Sequence, residues 1–188
     1  MAFTAHSAPL PESGSPVEDP QFQDGLYRSR SLTQKILLSV PDTHKSCIHT
    51  ETLQLNSAEN SKLATIASTI GVPPAPVLGP LSGNVSLEDS LRRMYEGLKL
   101  HQELLNLIAP RLEEKEKVTD LMDDIRDLTI QIKKMLKTGT KQQPTIAPVA
   151  LRLPGSYEVQ VAAHLTLVQL QSFGQDMDRV FRSLDQSS

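Results

Sequence analysis

His44, Cys47 and His49 are the residues of this chain whose types and spacing come nearest to chemistry. Imidazole and thiolate are the usual zinc ligands. A structural zinc site, however, takes four ligands at characteristic spacing, and this stretch offers three at an unusual one. Cys47 with a distant histidine is the minimum for a thiol nucleophile, but no nucleophile elbow or oxyanion-hole pattern accompanies it. No phosphate, dinucleotide or zinc motif occurs elsewhere. His101 and His164 fall on predicted helices and read as core or boundary histidines. No metal, cofactor or catalysis is therefore expected. Asn84-Val85-Ser86 fits the N-glycosylation acceptor in a loop ahead of a helix. Ser86 also reads as the N-cap of that helix, and the two roles are compatible.

What remains is carried on surfaces. Asp120, Asp123 and Asp127 lie opposite the apolar face of a predicted helix, with Asp124 at the margin. Arg28 and Lys35, seven apart, share one face of another. Such faces are solvated by default. Converging carboxylates can also pair with Arg or Lys of a partner.

The elements that must hold these residues are four apolar-periodic stretches, about 20–40, 87–108, 113–137 and 157–184. Asp19-Pro20 starts the first, as N-cap and first helical residue, and Pro41 is expected to stop it. Its stripe is Phe22, Leu26, Leu32, Thr33, Ile36, Leu37 and Val40. Ser86-Leu87-Glu88-Asp89 resembles a capping box for the second. That helix carries Leu87, Leu91, Met94, Leu98, His101, Leu105 and Ile108, with Gly97 inside it, where a close helix crossing is the expected reason. The third begins acidic (Glu113, Glu114, Glu116) and ends basic (Lys133, Lys134, Lys137), as the helix dipole favours. Its core face is Val118, Leu121, Met122, Ile125, Leu128, Ile132 and Leu136. The fourth buries Val159, Ala163, Thr166, Leu170, Phe173, Met177, Val180 and Leu184. A short amphipathic piece, 57–70, lies in the first connection ahead of Gly71-Val72-Pro73-Pro74-Ala75-Pro76.

The connections run long, short, long: 41–86, 109–112 and 138–156. A long helix spans about 30 Å, which about ten extended residues can cross. Both long connections can therefore join parallel helices, while the short one joins antiparallel neighbours. The expected fold is all-α, an up-up-down-down long-chain four-helix bundle with two long crossover loops, over 19–188, behind a disordered tail at 1–18. Net charge is −3 with dispersed basic residues, so no nucleic-acid footprint is present. No apolar run approaches the roughly 20 residues of a membrane span. The first twenty residues are rich in Pro, Ser and Gly, without the apolar core of a signal peptide. Either the chain is cytosolic or a leader has been removed. The single cysteine permits no internal disulfide, which favours a reducing compartment.

Several separate matches, in order, then identify a family. Leu91-Arg92-Arg93-Met94-Tyr95-Glu96-Gly97-Leu98-Lys99-Leu100-His101-Gln102-Glu103-Leu104-Leu105 resembles the Leu-x-x-Leu-x-x-Gly-Leu-x-Leu-Tyr-Gln-x-Leu-Leu of the granulocyte colony-stimulating factor family, long-chain helical cytokines of the interleukin-6 type. Leu170-Gln171-Ser172-Phe173 with Arg179-Val180-Phe181-Arg182 is similar to its fourth-helix pattern. Gly71 to Pro76 and Ile108-Ala109-Pro110-Arg111-Leu112 resemble its first long loop and its short turn. The match covers about 45–184 and is weak in the first helix.

The resemblance implies a secreted cytokine, monomeric when free. It would cluster a class I cytokine receptor in a two-to-two complex, signal through Janus kinases and drive neutrophil-lineage growth. The larger receptor surface would use the outer faces of the first and third helices, with Asp124 and Asp127 matching the family's Asp-x-x-Asp. The smaller would use Glu51, or its neighbour, and the start of the fourth helix. Two departures stand out. Cys47 matches one of the family's four loop cysteines, but its partner and the second pair are missing. The first long connection is therefore expected to be the most mobile part. The family's first-helix glutamate also has no match: no Asp or Glu lies between Asp24 and Asp42, and Arg28, Arg30 and Lys35 occupy the region. The rival reading is an intracellular helical adaptor without catalysis.

Overall fold

The computed structural model describes residues 16–82, 85–136 and 147–186. Five α-helices make up most of it: α1 (Pro20–Cys47), α2 (Ala64–Ile70), α3 (Leu87–Ile108), α4 (Glu116–Met135) and α5 (Ser156–Asp185). Short 3-10 turns occupy Pro16–Glu18, Ala58–Leu63 and Ala109–Arg111. No strand occurs among the described residues, and no helix among them is long and apolar enough to cross a membrane. Asn84 lies outside the described residues, as do Lys137 and most of the expected tail. Pro16–Glu18 of that tail is ordered as a turn, and the Gln23 side-chain amide donates to the Val17 carbonyl.

The helix starts follow from local chemistry. The Asp19 carboxylate accepts from Gln21 N–H, and Pro20 supplies the first helical residue. Ser86 Oγ accepts from Asp89 N–H at 3.1 Å, the first half of the expected capping box. The third periodic stretch begins later than its acidic run. Glu113 and Glu114 precede α4, because Ala109–Arg111 is already a 3-10 turn and 112–115 is irregular.

Pro41 does not stop α1, which runs through it to Cys47. The ring is exposed, so the hydrogen bond it removes lies on the watered side of the helix. The buried side of the next turn holds the helix together through Thr43, His44 and Cys47. Thr43 Oγ donates to the Ser39 carbonyl at 2.8 Å. Ile48 N–H closes the end on the His44 carbonyl. Burial of this extra turn outweighs the helix-breaking tendency of proline.

The core is one cluster drawn from all four long helices and from the first connection. Helix α1 packs on α4 and α5, and α3 packs on the same two. Ser29 of α1 meets Met135 at the end of α4, while Lys35 meets Asp124 nearer its middle. On the other flank Arg30 reaches Asp185, while His44 reaches His164. Both contact pairs run α1 against its neighbour in opposite directions. Gly97 admits the Phe173 ring where α3 crosses α5: a Cβ there would stand 2.2 Å from Phe173 Cζ. Every predicted residue of the α5 stripe is buried. Leu32 and Leu37 of α1 are only half-buried, and Ser29, Thr43, His44 and Cys47 take core positions instead.

The first long connection is fastened at several points. Leu53, Ile70, Val72 and Leu78 enter the core. Gly71, at φ 94°, caps α2 in the left-handed region, and its α-carbon passes so near Ala150 that a Cβ would stand 2.6 Å from that carbonyl oxygen. Arg152 N–H then donates to the Ile70 carbonyl, joining the two long connections. Gln169 donates to the Pro73 carbonyl and Arg93 to that of Val77.

Candidate functional site

Two places gather the residues singled out by their chemistry. The first is the outer face of α1 and α4. Tyr27 and Leu38 of α1 are 76% and 79% exposed, and Ile130 of α4 is 46% exposed. Tyr27, Arg28, Ser31, Leu32, Asp127, Ile130 and Gln131 line a shallow groove between the helices. The apolar faces of both helices are turned to the core, which leaves these positions to water.

The charges on this face are partly compensated from within. Lys35 Nζ bonds Asp124 Oδ1 at 2.8 Å across the α1–α4 seam. That hydrogen bond and the Asp124 charge raise the lysine above its ordinary value, and Asp127 and Asp120 add to the effect. Arg28 pairs with Asp24 on its own helix at 3.0 Å, and Arg126 with Asp123 at 3.2 Å. Asp120, Asp123 and Asp127 are exposed. Asp124, expected at the margin of the acidic face, is buried at 8% exposure and turned toward α1. It belongs to the seam. The periodicity of one helix ranks positions by angle, but only the neighbouring α1 decides that this margin is covered.

This separation is testable without any partner. Asp124→Lys sets two cations together at a covered seam, whereas Asp127→Lys sets one in water. Thermal melts followed by circular dichroism should show Asp124→Lys unfolding at a clearly lower temperature than Asp127→Lys. Equal melting temperatures would remove Asp124 from the seam.

The second place is the junction of α1, α5 and the first connection. Gln160 Oε1, in the first turns of α5, accepts from His49 N–H at 3.2 Å, Thr50 N–H at 3.1 Å and Thr50 Oγ at 2.6 Å. Glu51 follows at once and is exposed. The three residues of the 44–49 cluster are not brought together. His49 is exposed, His44 turns to His164, and Cys47 is buried as a free thiol. Burial lifts that thiol to about 11, so it is protonated at neutral pH. No group of three His, Cys, Asp or Glu residues is placed to hold a metal among the described residues.

The His44–His164 contact had no signal in the sequence. The residues are 120 positions apart, and His44 falls in what the sequence reads as a connection. His101 is also fully buried: Nδ1–H donates to the Gly97 carbonyl at 2.6 Å, and Nε2 meets no hydrogen-bond partner among the described residues.

No protein-family model matches this chain, and no curated protein sequence is significantly similar to it.

Proposed function

We propose that the chain is a secreted helical cytokine of the granulocyte colony-stimulating factor type. It clusters a class I cytokine receptor in a two-to-two complex, and so activates Janus kinases and granulocyte proliferation and differentiation. The fold that serves this role is the up-up-down-down bundle with two long crossover loops. Its support is the pairing pattern. Helix α1 runs opposite to α4 and α5, and the short turn sets α3 opposite to α4. The first two long helices then share one direction and the last two the other.

The observation that carries the reading is the α1–α4 face. The resemblance assigns the larger receptor surface to the first and third long helices, and these two pack side by side. They leave Tyr27, Leu38 and Ile130 exposed beside Asp120, Asp123 and Asp127. Aromatic and aliphatic anchors supply binding energy, and a carboxylate rim sets register and on-rate. Arg28 and Lys35 stand where the family carries an acidic residue, so the matching receptor surface would differ in charge there. Glu51, held to the start of α5 through Thr50 and Gln160, is the candidate for the smaller surface.

Charge reversal at Asp123 and Asp127 together should abolish receptor phosphorylation in cells bearing the receptor while leaving the helical circular dichroism intact. Asp124 is left out of this test because its loss would disturb the fold itself. Full phosphorylation by the double variant would remove α4 from the receptor surface.

One observation favours the rival reading, an intracellular helical adaptor: the only cysteine is a buried free thiol. Expression of the full-length gene product with a C-terminal tag separates the two. Recovery from the medium supports the cytokine; retention in the lysate supports the adaptor.

A further inference from the structure

His44, in the last turns of α1, and His164 of α5 set Nε2 and Nδ1 2.8 Å apart, edge to face. The other nitrogen of His164 lies 2.9 Å from Asn60 Oδ1, in the 3-10 turn Ala58–Leu63. The Asn60 amide is oriented by its own bonds. Nδ2 donates to the carbonyls of Gln54 at 3.1 Å and Leu55 at 2.9 Å, which leaves Oδ1 to accept. That choice assigns every proton of the relay. His164 Nε2–H donates to Asn60, so its Nδ1 is bare and accepts from His44 Nε2–H. Both imidazoles are neutral, and together they tie α1 and α5 to the turn 54–60.

We propose that this relay is an acid-operated latch, whose protonation releases the stretch 51–63 from the α1–α5 junction while the four long helices stay packed. The facing nitrogens already hold one proton between them, so a proton added at His164 Nδ1 sets N–H against N–H across 2.8 Å. No carboxylate is set to compensate the charge. The charged groups of the surrounding elements are Asp42 and Lys45 on α1, Glu59 and Lys62 on the 3-10 turn, Glu158 on α5, and Glu114, which acts on neighbouring Cys47. None of them pairs with either imidazole, whose partners are each other and Asn60. Burial therefore dominates and lowers both histidines. His164 is pulled down to about 4 by burial first and by His44 second.

The sign follows. In the open state the imidazole returns to its ordinary 6.5 and takes a proton that the closed state refuses. The latch holds fully above 6.5 and weakens as pH falls toward 4. At pH 5 the open state gains about 30-fold over the closed one from His164 alone. The release is local because little else holds this stretch: between 51 and 63, Leu53 is the only fully buried hydrophobic residue. The stretch is bounded by firm points, Gln160 on Thr50 at one end and Arg152 on Ile70 at the other.

The test is hydrogen exchange of the full chain at pH 7.4 and 5.0, corrected for the intrinsic pH dependence of exchange. Amides of 51–63 should open about 30-fold more often at pH 5.0, while those of α4 and α5 remain protected. In His164→Gln this local pH response should vanish. Because that variant could fold poorly, nitrogen NMR of the wild-type imidazoles supplies an independent arm. His164 should be neutral, protonated on Nε2, for as long as 51–63 stays protected. A His164 that charges near pH 6.5 with 51–63 still closed would overturn the latch. So would an undiminished response in His164→Gln, or loss of protection in all helices together.

Discussion

Gly97→Ala should destabilise the chain by about 2–3 kcal/mol, although alanine is the better helix former by about 1 kcal/mol. The two effects oppose each other, and distance decides between them. The added Cβ would stand 2.2 Å from Phe173 Cζ and 2.7 Å from both Cε atoms. Phe173 is itself buried in the α3–α5 contact and lies against His101, so the ring must leave its packed position to make room. Either the ring leaves its rotamer or α3 moves away from α5. For a chain of this size the loss corresponds to a fall in melting temperature of about 5–10 °C. Urea unfolding at pH 7.5 measures it, and Phe173→Leu in the alanine background should recover part of the loss. If Gly97→Ala were neutral or stabilising, the close crossing of α3 and α5 would be wrong.

Acidification should cost the chain about 3 kcal/mol of global stability between pH 6.5 and 4 through His101 alone. Burial pulls this imidazole down to about 4, against a smaller opposing effect of its bond to the Gly97 carbonyl. The folded state therefore refuses a proton that the unfolded state accepts at 6.5. Stability is complete above 6.5, falls through this window, and is lost no further once both states are charged. His101 sits between α3 and α5, at the Phe173 contact, so its titration reports on the whole core. The His44–His164 relay instead loosens one connection. Unfolding free energies from urea titrations at pH 7.5 and 4.5 read the effect. His101→Leu, which cannot titrate, should flatten the pH dependence by the His101 share. An equal slope in wild type and His101→Leu would show that His101 is not buried as a neutral base.

Much of the fold was legible in the chain. The stretch 87–108 is α3 to the residue, because Ser86 caps its start and an unbroken apolar stripe runs to Ile108. The α5 stripe was legible for the same reason. Gly97 was legible as a crossing because glycine in mid-helix is costly unless something needs its space. The surface residues were legible by face: Asp120, Asp123 and Asp127 are outward as their angles require. Asp124 was not, since its neighbour in space is Lys35, 89 positions away. The 44–49 cluster shows the same limit of sequence spacing. Close spacing in a sequence does not make side chains converge when a helix end and a loop turn them apart.

The sequence alone determined what depends on short range: where helices start, which stripe turns inward, and which helix tolerates a close neighbour. These follow from caps and from a 3.6-residue period, which operate within a few residues. Only the tertiary structure decided what α1 does at Pro41, where burial of Thr43, His44 and Cys47 outweighs the proline. It alone moved Asp124 into the seam and joined His44 to His164. Local rules say that a side chain points inward; which group meets it there depends on the packing of a helix from the other end of the chain.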